Sequence, residues 1–419
     1  MTKRFAPAVA LGVAAALISF GAPAQNVKIA LIEPLSGPFA NVGDQFLKEY
    51  QFNIEKINAK GGVLGGRKLE IIGLDNKGSP QEALNQFKRV VDQDIRYISQ
   101  GGSSAVAGAL LEAVNRHNER NPGKEILFLN HSAVDPALTN DKCSFWHFRF
   151  DANADMKMEA LTTYMAQNKN IKKVYLINQD YSFGHAVKKA ARDMLGRKRS
   201  DVQFVGDELH PIGKVTDFSP YVAKIKQSGA DSVITGNWGN DMSLLIKAAK
   251  DSGLDVNWYT YYAGGLGTPT AMGDAAAGKV KIIAEYHANV TPNKVAKYDA
   301  EFRKKYEKEK LDWYFLRGKL MFDMFAEAIN KAKSAEPKAV ALALEGMKFQ
   351  GDMGEVEMRK QDHQVIQPLF LMTMHKSAAK GGPKDGKIEA EGSGLAMTTD
   401  ARLEGYTSAT PTSCSMKRP

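Results

Sequence analysis

The chain has 419 residues and a formal net charge of +9, with 43% hydrophobic residues and two cysteines. This length exceeds the roughly 100–200 residues of a usual domain, so two domains are expected. The basic residues are spread along the chain, and the densest run, Arg303 to Lys310, is interleaved with Glu307 and Glu309 as on a solvated helix face, which argues against a nucleic-acid partner.

Lys3 and Arg4 precede an apolar run from about Ala8 to Phe20, and Ala22-Pro23-Ala24 follows. That order predicts a secretory signal peptide over 1–24 and a periplasmic product beginning near Gln25. The run is short for a membrane span, no cysteine stands near the cleavage point, and no later stretch is long and apolar enough to cross a bilayer. Removal of Lys3 and Arg4 leaves a charge of +7. In an exported protein, Cys143 and Cys414 read as a disulfide tying the C-terminal tail to the middle of the chain, with two free thiols as the alternative.

The first expected strand is the β-branched run 27–32, broken by Pro34, Gly37 and Pro38. Apolar residues at helical spacing predict a helix over 43–59, stopped by Gly61-Gly62. Strands at 69–74, 96–99 and 126–129 alternate with helices at 80–91 and 104–117. After Asp151 the alternation restarts, with strands at 174–177, 202–205, 232–235 and 258–261 and helices at 186–195, 218–227 and 242–251. Two such runs predict an α/β fold of two doubly wound parallel-sheet lobes. Two further helices over 295–333 return to the first lobe, 351–371 is a turn and strand pair, and 376–419 reads as loop pinned by Cys414.

Enzyme motifs are missing. Gly101-Gly102-Ser103-Ser104-Ala105 ends in Ala where a nucleophile elbow needs Gly, the turn after the first strand cannot bind a dinucleotide, and the histidines form no cluster. No enzymatic activity, cofactor or metal is expected. The chain instead offers ligand-holding segments at the carboxyl ends of strands. Gly102, Ser103 and Ser104 place a hydroxyl and free N–H groups at a helix start, which suits a carboxylate, although a serine N-cap is the simpler account of Ser103 alone. The segment 130–134, with Ser132 and Val134, follows the next strand, and His131 there reads as structural. In the second lobe Tyr181 and Phe183, Trp238, and Tyr261-Tyr262-Ala263-Gly264 stand at corresponding strand ends, where aromatic side chains can wall a pocket.

These residues, together with Leu35-Ser36-Gly37-Pro38, Pro136-Ala137-Leu138-Thr139 and Asp217-Phe218-Ser219, resemble the periplasmic leucine/isoleucine/valine-binding proteins of ABC importers, of the type I periplasmic binding fold, over nearly the whole chain after residue 24. The resemblance implies two lobes joined by a three-strand hinge, with 25–150 plus about 287–350 in one and 151–286 plus about 351–419 in the other. It implies a ligand carboxylate at Ser103 and Ser104, backbone contacts from Ser132 and Val134, a far wall of Phe183 and Trp238, and a near side of Val42 and Trp313. It also implies membrane permease subunits as partners and a monomer in solution. Members that bind amino acids place an acid after the strand matching 258–261 to hold the ammonium. Here that stretch is Ala263-Gly264-Gly265. An unpartnered buried ammonium is costly, so a small carboxylate without an amine, such as an aromatic or keto acid, is expected over a plain amino acid unless Asp180 supplies the charge. A ligand-sensing domain of a regulator or receptor shares this fold and is the alternative reading.

Overall fold

The computed structural model describes Thr2 and residues 25–419, so the expected signal peptide lies, apart from Thr2, outside the described residues. From Val27 the chain forms β1 (Val27–Glu33), α1 (Ala40–Ala59), β2 (Leu69–Asp75), α2 (Pro80–Asp92), β3 (Tyr97–Gln100), α3 (Ser104–Arg120), β4 (Leu127–Asn130) and a short β5 (His147–Arg149). The five strands make one parallel sheet in the order β2-β1-β3-β4-β5. β3 and β4 are buried at every residue and β1 at nearly every one, and β1 and β4 accordingly carry continuous apolar runs, Ile29 to Ile32 and Leu127 to Leu129, rather than alternating ones.

The chain then enters α4 (Ala154–Gln167) and the alternation restarts with β6 (Lys173–Gln179), α5 (Ser182–Lys198), β7 (Gln203–His210), α6 (Ser219–Ser228), β8 (Ser232–Thr235), α7 (Gly239–Asp251), β9 (Asn257–Thr260), α8 (Thr268–Met272) and β10 (Val280–Ala284). α9 (Ala296–Lys305) and α10 (Leu316–Ala332) follow, and α10 packs on α1, with α11 (Pro337–Leu344) beside it. β11 (Lys348–Gly351), β12 (Gly354–Met358) and β13 (Val365–Ile366) form a small antiparallel sheet. β14 (Leu369–Lys376) and β15 (Leu395–Leu403) then add an antiparallel edge to the second sheet, whose order is β15-β14-β10-β9-β8-β6-β7.

Two expectations change. The region 376–419 is not all loop: β15 pairs with β14 along its length, and its first four residues are buried. The small sheet also stays with the first lobe, since Gln364 bridges to Arg149 and accepts its Nε–H at 2.7 Å. The third crossing between lobes is therefore placed after Ile366, at Gln367-Pro368, rather than near 351. The crossings are bonded to one another, for Gln364 Nε2 donates to the carbonyl of Asp151 at 2.7 Å. Cys143 and Cys414 form a disulfide, which returns the tail from the second sheet to the first lobe. Thr412 Oγ1 donates to the Thr139 carbonyl beside it at 3.0 Å.

Candidate functional site

The carboxyl ends of β1, β3 and β4 converge on the start of α3. The N–H groups of Gly101 and Gly102 donate to Glu33 Oε1 at 2.6 and 2.9 Å, which turns the backbone out of β3 and into the helix. The turn needs glycine at both positions. A Cβ on Gly101 would lie 2.4 Å from the His131 ring and 2.5 Å from the Ser132 nitrogen, and one on Gly102 would lie 2.3 Å from Glu33 Oε2. His131 is structural, as expected: Nδ1 meets Ser99 Oγ at 3.0 Å, Nε2 lies 3.1 Å from Glu33 Oε1, and burial lowers its pKa despite that carboxylate. Ser103 occupies the N-cap position, but its hydroxyl makes no cap hydrogen bond. The first-turn N–H groups of a 17-residue helix thus lack a side-chain acceptor, the condition in which a helix start attracts an anion.

This helix start borders a cavity between the two sheets. Val42 and Phe46 of α1, Gly101 to Ser104, Ser132 and Val134 line it from the first lobe. Tyr181, Phe183, Trp238, Tyr262 and Leu266 line it from the second. The cleft is shut at its lip. Phe39 packs on Trp238 with ring centres 4.3 Å apart and Asn240 Nδ2 donates to the Pro38 carbonyl at 2.6 Å, both across the lobes, while Trp238 Nε1 donates to Tyr181 Oη at 2.8 Å within the second lobe. Gly102, Ser103, Ser104, Ser132, Val134, Val42, Phe183 and Trp238 are therefore brought together.

Trp313, Ala263 and Gly264 are not. Trp313 is 2% exposed and packs against Tyr286 and Tyr298, while Phe315 and Arg317, at the start of α10, take the near wall. Ala263 is buried in the core of the second lobe, and Gly264 faces Tyr314 and Met397. Trp313 and Gly264 instead border a second, smaller cavity. The backbone roles expected of Ser132 and Val134 are also narrowed, because the Ser132 N–H donates to Asn130 Oδ1 and the Val134 carbonyl accepts from the Ala154 N–H. Asp180 is exposed and bonded to His185 at 2.9 Å, away from the cavity, so it supplies no charge there.

A buried charge cluster stands behind the near wall. Arg317 donates from Nε to Ser132 Oγ at 2.5 Å and from Nη1 to Glu285 Oε1 at 2.8 Å, and its Nε lies 3.5 Å from Asp151 Oδ2. Lys157 holds the same Asp151 oxygen at 2.8 Å. Two cations thus face two carboxylates. Burial works against all four charges, but Arg317 and Lys157 outweigh it at Glu285, whose carboxyl is held below its ordinary range. Burial likewise opposes the Arg317 charge, and Glu285 and Asp151 more than offset it, so the guanidinium stays protonated. Of the four, only Arg317 lines the cavity. No acidic side chain lines it, and no group of metal-ligating side chains occurs among the described residues. Sequence reasoning missed these four residues. The available signal was position: Glu285 and Asp151 follow the ends of β10 and β5, and Arg317 stands among Phe315, Leu316 and Leu320.

Residues 26–382 match the family described as periplasmic binding protein. The chain is 36% identical to Leu/Ile/Val-binding protein homolog 4 of Brucella abortus, with 97% of this chain and 98% of that protein covered. The solved structure of a leucine-, isoleucine-, valine-, threonine- and alanine-binding protein from Brucella ovis, in a closed conformation, matches with a TM-score of 0.82 and 33% identity over 94% of this chain and all of the other. A solute-binding protein from Rhodopseudomonas palustris, solved with 3,4-dihydroxybenzoic acid, matches with a TM-score of 0.76 at 18% identity over 91% of this chain and 98% of the other, a likeness of fold.

Proposed function

Because this chain belongs to the periplasmic binding protein family, we propose that it captures a small carboxylate between its two lobes and presents it to an ABC importer, with no chemical turnover. The observation that carries the reading is the uncapped start of α3 opening on an interlobe cavity with aromatic walls and no carboxylate. The ligand's carboxylate sits at Ser103 and the first-turn N–H groups of α3, and Trp238, Phe183 and Tyr262 cover its apolar body. The first lobe binds first. The aromatic wall of the second lobe then adds contacts that exist only in the closed form, so the ligand shifts the population toward closure. Export to the periplasm, a monomeric state and recognition of the closed lobes by permease subunits belong to the same reading. A sensor domain of the same fold would bind in the same way and differ in its partner.

The lining favours an acid without an amine, since an ammonium in this cavity would meet no carboxylate and would face Arg317. Amino-acid capture is the second reading, supported by the likeness to the Brucella relatives, which are leucine-, isoleucine- and valine-binding proteins by name. A thermal-shift panel of branched-chain amino acids, their 2-oxo acids and aromatic acids separates the two. A ligand at 100 times its dissociation constant stabilises by about 2.7 kcal/mol. Stabilisation by amine-free acids is expected, and stabilisation by leucine alone would favour the second reading.

A further inference from the structure

Arg317 is the one charged side chain on the cavity wall, and its hydrogen bonds are unevenly spent. Nε is used by Ser132 and Nη1 by Glu285, while Nη2 has no hydrogen-bond partner among the described residues. The residue is 3% exposed, and its guanidinium lies over the Phe315 ring at 4.4 Å, which leaves the edge of the group as the direction in which it can still donate. Its charge is already answered by Glu285 and Asp151, so the free N–H groups ask for an oxygen acceptor rather than for a second anion.

The location of that donor decides what it reads. Gly101, at the α3 seat, packs so closely on Ser132 that a Cβ there would lie 2.5 Å from the Ser132 nitrogen, and Ser132 Oγ in turn accepts from Arg317. The carboxylate seat and the guanidinium are thus neighbours through Ser132. A ligand whose carboxylate rests on α3 can turn the substituent of the next carbon to this side of the cavity, since the α3 start, Ser132 and Arg317 line one cavity. In an amino acid that substituent is an ammonium, whose N–H groups are donors and offer Arg317 no acceptor. In a 2-oxo acid it is a carbonyl oxygen, which accepts what Arg317 has left to give.

Resting on the carboxylate reading above, we propose that Arg317 is the specificity-determining residue of the site and that it selects acids bearing an oxygen acceptor on the carbon beside the carboxylate, the 2-oxo acids. Glu285 is a positioning residue, which orients the guanidinium and cancels its charge.

Calorimetric titration of the full exported chain tests this with two matched series. One is 4-methyl-2-oxopentanoate, 4-methylpentanoate and leucine, and the other is phenylpyruvate, 3-phenylpropanoate and phenylalanine. Within each series the carboxylate and the tail are the same and only the substituent at the second carbon changes. The 2-oxo acid of at least one series is expected to bind about tenfold or more tighter than its methylene analogue, with the amino acid weakest. The double variant Arg317→Met/Glu285→Gln removes the donor without leaving a lone buried carboxylate in its place. In it the ratio of 2-oxo to methylene affinity is expected to fall to near one. The ratio is taken within one protein, so a general loss of stability does not imitate it, and if the variant does not fold the ranking in the unaltered chain decides. Equal binding of oxo and methylene acids, or a ratio that survives in the double variant, overturns the role of Arg317 and leaves carboxylate capture standing. Tightest binding of an amino acid overturns the preference for an amine-free acid as well. Binding of none of the six removes the carboxylate reading itself.

Discussion

Glu49 shows how one side chain can shape a pocket that it does not line. It is fully buried on α1, and its carboxylate accepts the N–H groups of Tyr314 and Phe315 at 2.8 and 3.0 Å, which fixes the segment that supplies Phe315 to the near wall. Burial pushes its carboxyl up from 4.5 to about 7, against the hydrogen bonds from Gln45, Tyr314 and Phe315 and the charge of Arg317. The unfolded chain releases this proton at a lower pH than the folded one. Between about pH 4.5 and 7 the folded state therefore holds more protons, and the contribution of Glu49 to stability declines as pH rises through that window. Denaturant unfolding of the wild type and Glu49→Gln across this range is expected to show the wild-type advantage shrinking by up to about 1.4 kcal/mol per pH unit. A difference that stays flat with pH would contradict the assignment. The charge quartet belongs to the same scale. Arg317 and Glu285 stand on chain segments far apart in sequence, and no spacing rule joins them, so the pairing becomes visible only when the fold brings α10 against the end of β10.

Among the elements, the β/α alternation was legible because strands buried on both faces, such as β1 and β4, carry apolar runs of three or four residues bounded by polar loops and helices. β5 and β15 were not. β5 has three residues, and β15 carries threonines and charges in its second half because it is the edge of its sheet and takes its hydrogen bonds from β14. At the site, Ser103, Phe183 and Trp238 stand on loops leaving strand ends and line the cavity, since a strand end fixes where the next residues begin. Trp313 and Gly264 were misplaced because they lie in irregular segments, where a shift of one or two residues turns a side chain to another cavity. The start of α7 offers a test at this scale. Gly239 has φ of +59°, and a Cβ there would lie 2.9 Å from Phe39 Cδ1 across the closed lip. Gly239→Ala is expected to weaken ligand binding about tenfold, read by calorimetry, because the added Cβ clashes with Phe39 only in the closed form, while the left-handed backbone cost of about 1 kcal/mol falls on folding stability. Unchanged affinity would show that closure does not need this contact.

For the whole molecule, the three crossings are joined by a fourth connection. The tail leaves β15 in the second sheet and is bonded covalently at Cys414 to Cys143 of the first lobe, 271 residues earlier. So long a loop lets the cross-link restrict the unfolded chain strongly, and replacing both cysteines by serine is expected to cost about 2–5 kcal/mol of unfolding free energy in a denaturant titration. A loss well under 1 kcal/mol would mean that the tail contacts around Thr412 hold without it. The central claim is that ligand is captured by both lobes at once, with Ser103 on one side and Trp238 on the other. Its most direct test is calorimetric titration of the tightest-binding acid into the wild type, Ser103→Ala and Trp238→Ala. One-to-one binding is expected in the wild type, with affinity reduced at least about tenfold by each substitution. Full affinity in either variant would contradict capture between the lobes.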